Sequence, residues 1–140
     1  MRNLLVGALC LALSPLAAVA QTGDKDGPVG ALENTVLSQI EAFRAGDFEA
    51  AFEFSSDGIR KYFGSHETFK AMVSNGYSMV VDPEEVTFLN NRPEGRAVWL
   101  KVLIRSKNGE AHVLDYQMVP DREGWKINAV LPATEGRTAA

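Results

Sequence analysis

Thiols and imidazoles are almost missing from this sequence. Its single cysteine, Cys10, falls inside an apolar leader, and His66 and His112 are the only histidines. A disulfide framework, a thiolate nucleophile and a zinc-type metal site all need more of these side chains, at closer spacing, than the chain offers. No metal and no cofactor are therefore expected. Cations are scarce as well: 14 Lys plus Arg against 18 Asp plus Glu give a formal charge of -4 and a pI near 5.2. Nucleic-acid partners need clustered positive charge, which is not present. No apolar run reaches the roughly 20 residues of a membrane span, so no stable membrane anchor is expected. Gly-rich phosphate cradles and nucleophile elbows are absent too.

What the sequence has is a leader and one core-forming domain. Arg2, the apolar run Leu4 to Leu16, and Ala18-Val19-Ala20 before Gln21 have the layout of a secretory signal peptide. Leu9, not a small residue, precedes Cys10 in mid-run, against the lipoprotein alternative. Cleavage at Ala20/Gln21 removes Arg2 and the only thiol, and it places the mature protein in the periplasm or outside the cell. The remainder divides into a flexible polar leader at 21–30, a single domain at 31–132 and a tail at 133–140. Hydrophobic residues at 46% with 23% charged suit such a domain.

Helical spacing governs the first half. Leu32, Val36, Ile40 and Phe43, with Leu37 beside them, form one stripe of a first helix, while Glu33, Asn34, Ser38, Gln39 and Glu41 fill the polar side and Gly46 ends it. Asp47 is the expected N-cap of a second helix carrying Phe48, Ala51, Phe52 and Phe54 inward. After Ser55-Ser56-Asp57-Gly58, a helical turn is expected around Ile59 to Phe63. Ser65 then caps a third helix with Phe69, Met72 and Val73 inward, ended by Asn75-Gly76. Asp82-Pro83-Glu84-Glu85 reads as an acidic connector.

Strands follow. Val86 to Leu89, Ala97 to Arg105 and Ala111 to Val119 are β-rich, and Asn108-Gly109 suits a two-residue type I′ hairpin turn. That turn sets Arg105 against His112, Leu103 against Leu114, Lys101 against Tyr116 and Trp99 against Met118. After a longer loop at Asp121 to Gly124, Pro120 faces Trp125, Met118 faces Ile127 and Tyr116 faces Ala129. In this register Trp99, Leu103, Leu114, Tyr116, Met118, Trp125, Ile127 and Leu131 face the core. The strip Val98, Leu100, Val102 and Ile104 is left uncovered beside Asp115, Gln117, Lys126 and Asn128. Helices first and an antiparallel meander afterwards give an α+β fold, with N-terminal helices packed on a curved sheet.

Several strings carry a family resemblance: Asp47-Phe48-Glu49-Ala50-Ala51-Phe52, Gly58-Ile59-Arg60-Lys61-Tyr62-Phe63-Gly64, and Phe69-Lys70-Ala71-Met72-Val73 leading into Gly76-Tyr77-Ser78-Met79-Val80. So do Leu114-Asp115-Tyr116-Gln117-Met118-Val119 and Gly124-Trp125-Lys126-Ile127-Asn128. From Leu32 to Leu131 the chain resembles the bacterial family called domain of unknown function 4864. It is similar more broadly to the nuclear transport factor 2-like superfamily of cone-shaped α+β rolls. The resemblance implies a roll with a cavity at its open end. It does not imply an activity, because that superfamily holds isomerases, cyclases and dehydratases beside binding and dimerisation modules. Isomerase chemistry of that kind uses a carboxylate base and a tyrosine donor, and the first helix offers Phe43 where a tyrosine is wanted.

Two groups of residues compete for a functional role. Tyr62, Phe63, Phe69, Met72, Tyr77, Trp99, Tyr116 and Trp125 can line an apolar pocket, although aromatic residues at such spacings also build ordinary cores. Asp115, with Tyr116 or Tyr77, is the weak catalytic candidate, set against a solvated Asp115 paired with Lys126 or Asn128. The leading expectation is a secreted, non-catalytic binding module for a small apolar ligand or a protein partner. The alternatives are a cofactor-independent lyase or isomerase of the ketosteroid isomerase type, and a structural homodimer. For the homodimer, Val98, Leu100, Val102, Gln117 and Asn128 supply the interface, since a two-fold partner would cover the apolar strip. N-terminal sequencing of the native protein checks the leader: a start at Gln21 is expected, and an intact Met1 overturns the export reading.

Overall fold

The computed structural model describes residues 27–133. The expected signal peptide at 1–20, most of the expected leader at 21–30 and all but the first residue of the expected tail at 133–140 lie outside the described residues. Four helices come first: α1 (Pro28–Arg44), α2 (Phe48–Glu53), α3 (Asp57–Phe63) and α4 (His66–Gly76). A 3₁₀ turn at Ser78–Val80 leads into four strands, β1 (Glu85–Glu94), β2 (Ala97–Arg105), β3 (Ala111–Asp121) and β4 (Gly124–Pro132). The strands form one antiparallel meander in sequence order, and the helices cover one of its faces. Among the described residues no helix is long and apolar enough to cross a membrane.

The helix boundaries follow from local chemistry. The Asp47 carboxylate accepts from Ala50 N–H at 3.0 Å, and the Ser56 and Ser65 hydroxyls accept from Ile59 and Thr68 N–H groups at 3.3 Å each. Each satisfies a donor that the first turn of a helix leaves free. Gly46 and Gly64 follow α1 and α3 with φ of 73° and 78°, a region where a Cβ is unfavourable. One boundary differs from the expected one: α1 begins at Pro28, so residues 28–30 are helix and not leader. A proline suits a helix start, where the missing N–H has no partner to lose. Within α1, Gln39 belongs to the interior. It is buried, and its amide donates to Ala51 O in α2 at 3.1 Å, whereas Leu37 is exposed.

The β2–β3 hairpin departs from the expected register by one residue. Gly109 has φ of 90°, but among the described residues no non-glycine takes a positive φ, so Asn108 does not supply the second such residue that a type I′ turn requires. Instead Gly109 N–H donates to Ser106 O at 2.9 Å and Ser106 N–H to Glu110 O at 2.8 Å, leaving Lys107, Asn108 and Gly109 as a three-residue connection. Arg105 then pairs with Ala111, Val102 with Leu114, Leu100 with Tyr116 and Val98 with Met118. Because side chains alternate along a strand, one residue of slip exchanges the faces of β2 relative to β3. Leu100, Val102 and Ile104 are core, packed with Leu114, Tyr116, Met118 and Ile127.

This corrects the expected faces. Trp99 and Leu103 belong to the outer face, where Trp99 lies under the Arg92 guanidinium, 5.9 Å from its ring centroid. The strip that prompted a two-fold partner is already covered by the helices, so Val98, Leu100 and Val102 do not form an uncovered interface. The β3–β4 hairpin keeps Pro120 opposite Trp125 and Met118 opposite Ile127, as expected. An irregularity between Gln117 and Met118 then sets Tyr116 against Val130, not Ala129, and turns Leu131 outward, 49% exposed. β1 runs to Glu94, well beyond Leu89. Its register shifts between Phe88 and Asn90, and it carries Pro93 on a sheet edge, where a missing donor is tolerated.

Backbone pairing ties the two halves together. Ser56 N–H donates to Ile127 O and Ile127 N–H to Phe54 O, both at 2.8 Å, so the α2–α3 connection pairs with the outer edge of β4. Lys126, buried beside it, donates to Glu53 O at 3.0 Å and satisfies a carbonyl at the end of α2. Denaturant melts check the corrected faces. Leu100→Ala is expected to cost about 2–5 kcal/mol, and Leu103→Ala, on the half-buried outer face, about 1 kcal/mol.

Candidate functional site

Between the helices and the last two strands lies a cavity of about 510 Å³. α1 contributes Gln39 and Phe43, α3 contributes Ile59, Tyr62 and Phe63, and α4 contributes Phe69, Met72 and Val73. Tyr77 and Val80 follow α4 into the wall, and the sheet supplies Tyr116, Ile127 and Asn128 to Leu131. The aromatic rings are grouped around Phe69, with centroid distances of 5.9 Å to Phe43, 5.1 Å to Phe52 and 5.9 Å to Phe63. Such contacts hold α1, α2, α3 and α4 at the spacing that leaves the cavity between them and the sheet.

Six of the eight residues expected at a pocket come together there: Tyr62, Phe63, Phe69, Met72, Tyr77 and Tyr116. Trp99 and Trp125 do not. Trp99 is on the outer face of β2, and Trp125 packs against the core while its carbonyl accepts from the Thr35 hydroxyl at 3.2 Å. Sequence reasoning missed Gln39, Ser55, Ile59 and Val130. Gln39 follows the polar rhythm of α1, and the placement of Val130 depends on the irregularity opposite Gln117, so neither had a visible signal.

The polar groups of the wall are mostly committed. Tyr77 donates its hydroxyl to Val130 O at 2.8 Å. The Ser56 hydroxyl donates to Asn128 Oδ1 at 2.7 Å, and Asn128 Nδ2 donates to Gln117 Oε1 at 2.8 Å, which links the start of α3 to the sheet. Tyr116 is different. Its hydroxyl is buried and has no hydrogen-bond partner. Burial, with the neighbouring Tyr77 phenol as the lesser cause, holds its pKa far above the ordinary tyrosine value. It is therefore a neutral phenol at any physiological pH.

No Asp, Glu, His, Lys or Arg lines the cavity among the described residues. Asp115, the carboxylate weighed as a base, is on the opposite face of β3 from Tyr116, 3.4 Å from Lys101 Nζ. Its expected partners Lys126 and Asn128 are engaged elsewhere. A second depression, of about 560 Å³, includes Met79, Asp82, Lys107 and His112. There the Lys107 hydrogen bond first, and its charge and that of Arg44 after it, outweigh burial and hold Asp82 below the usual carboxylate range. His66 and His112 are on different elements, α4 and β3, and no group of ligating side chains that could hold a metal occurs among the described residues.

With the geometry established, comparison with known proteins assigns the family. The model for the domain of unknown function DUF4864 matches residues 29–139. The chain belongs to that family. Among solved structures, a protein of Campylobacter jejuni described as a nuclear transport factor 2-like transpeptidase shares the fold with a TM-score of 0.51 and 12% identity, over 70% of this chain and 97% of its own. A SEC-C motif-containing protein of Rhodopseudomonas palustris is similar with a TM-score of 0.55 and 16% identity, over 78% and 91%. No curated protein matches. The DUF4864 chain thus has the nuclear transport factor 2-like roll, and at these identities the likeness extends to the fold alone.

Two substitutions separate the tyrosines. Tyr116→Phe is expected to leave stability unchanged or raise it by about 1 kcal/mol, since it removes a desolvated hydroxyl, while Tyr77→Phe should cost about 0.5–1.5 kcal/mol. A raised folded-state pKa means that the unfolded chain ionises first. The contribution of Tyr116 is complete below the unfolded value near 10 and falls as pH rises past it. Urea melts at pH 8 and 10.5 should therefore show a loss for the wild type that is smaller in Tyr116→Phe.

Proposed function

We propose that the protein is a non-catalytic binding module, exported and processed at Ala20/Gln21, whose interior cavity holds a small apolar ligand. The observation that carries this reading is the cavity wall: about 510 Å³ lined mostly by apolar and aromatic side chains, with no charged group among them. Ligand pockets of a few hundred Å³ are typically built this way, with a few polar groups for orientation. A core that only needed stability would close such a space, because unfilled volume forfeits dispersion contacts.

An acid–base enzyme of the isomerase type is disfavoured by the same wall. Proton abstraction needs a carboxylate or an imidazole within hydrogen-bond reach of the substrate, and Asp115 is on the other side of the strand. The tyrosines that remain are too weakly basic to replace it. Neutral N-phenyl-1-naphthylamine tests the binding reading. Its fluorescence should rise on addition of the wild type at micromolar concentration. Met72→Trp, which fills the cavity from α4, should weaken that binding about tenfold or more. A wild type that gives no signal, or a variant that binds equally well, overturns the proposal.

A further inference from the structure

Gln39 is a buried amide of the cavity wall with only half of its bonding capacity in use. It is 4% exposed, lines the cavity, and donates through Nε2 to Ala51 O at 3.1 Å. A backbone carbonyl can only accept, so this bond fixes how the amide is turned: Nε2 faces Ala51 and Oε1 points away from it. Oε1 takes no hydrogen bond from any described residue. Nor is it sealed in, because the unpaired side-chain atoms closed to solvent among the described residues are Trp99 Nε1 and the Tyr116 hydroxyl. The Gln39 acceptor is thus open to a molecule in the cavity, whereas the Tyr116 phenol is not. Buried polar groups are nearly always paired, since an unshared one has lost its water without compensation. Bridging α1 to α2 uses only the donor half of this amide, and Ala51 O already accepts from Phe54 N–H at 3.3 Å.

We propose that Gln39 Oε1 anchors the inner end of the ligand, and that the ligand class is a neutral alcohol, a hydroxyl carried on an apolar body. The inference rests on the cavity being a ligand site. A hydroxyl gives its one proton to Oε1 and brings no second donor that would in turn go unpaired. A ketone or an ether has no proton to give. An ammonium has, but the wall holds no Asp or Glu to offset the loss of its water. The amide does not titrate, so the acceptor is present at every pH. The apolar body then runs toward Tyr62 and Leu131, the exposed residues of the wall at 80% and 49%.

The test uses two isomers, 1-nonanol and 1-methoxyoctane, each titrated in competition with N-phenyl-1-naphthylamine against the wild type and Gln39→Met. Methionine is flexible enough to fill the place of the amide without its carbonyl. Both isomers are expected to displace the dye from the wild type. The substitution should weaken 1-nonanol about five- to tenfold, the value of one hydrogen bond, and leave 1-methoxyoctane within about twofold. In wild-type protein carrying carbon-13-labelled glutamine, the side-chain carbonyl resonance of Gln39 should move downfield with 1-nonanol and stay in place with 1-methoxyoctane. If the dye itself does not bind, the binding reading falls and the anchor with it. If the dye binds and 1-nonanol does not displace it, or Gln39→Met weakens both isomers equally or neither, the binding reading stands and the anchor is wrong. Should the variant fail to fold, a Gln39 resonance that answers both isomers alike is sufficient to reject the anchor.

Discussion

The pairing of Phe54, Ser55 and Ser56 with Ile127 is the contact on which the rest of this structure depends. Two backbone hydrogen bonds of 2.8 Å close the edge of β4 with a segment from the helical half. An open strand edge invites pairing with another chain, and the chain's own loop blocks such pairing at Ile127. The same bonds fix where α2 ends and α3 begins. The buried Lys126 finishes the carbonyl row of α2 from the strand side, so the helix terminus and the sheet edge stabilise each other. Beyond this joint, α1 and α4 pack on the sheet and a space remains between α3, α4 and β4.

That space explains a division within the hydrophobic interior. Val36, Ile40, Leu100, Val102, Ile104 and Met118 are close to fully buried and form a compact layer between α1 and the middle strands. The side chains toward α3 and the end of β4 are also apolar, but they face each other across the cavity and do not interdigitate. The first region behaves as a core, intolerant of lost volume. The second trades packing for capacity, a division open to a roll whose helices are held apart at one end by aromatic rings.

Much of the helical half was legible because its signals are local. Asp47, Ser56 and Ser65 are caps whose partners lie three residues away, and an apolar stripe needs only its own spacing. The sheet was less legible. Strand order and the hairpins could be read, yet the register depended on whether Asn108 takes a positive φ, and the sequence Asn-Gly fits either answer. A single residue of slip then moved Leu100 inward and Trp99 outward. The irregularity opposite Gln117 had no sequence signal, and through it Val130 takes the place opposite Tyr116 that Ala129 was expected to hold. Tyr116 was named among the pocket residues, but its unpaired hydroxyl depends on where the acceptors of three other elements fall, which no local pattern records.

The helix α3 supplies Ile59, Tyr62 and Phe63 to the cavity wall without burying any residue of its own, and Tyr62 is 80% exposed. Its tether to the sheet is the short polar chain from Ser56 through Asn128 to Gln117. α3 carries fewer buried side chains than α1 or α4, so its local opening costs least, although Phe63 would leave its contact with Phe69. The part of the wall that is held least firmly is therefore also the part most open to solvent.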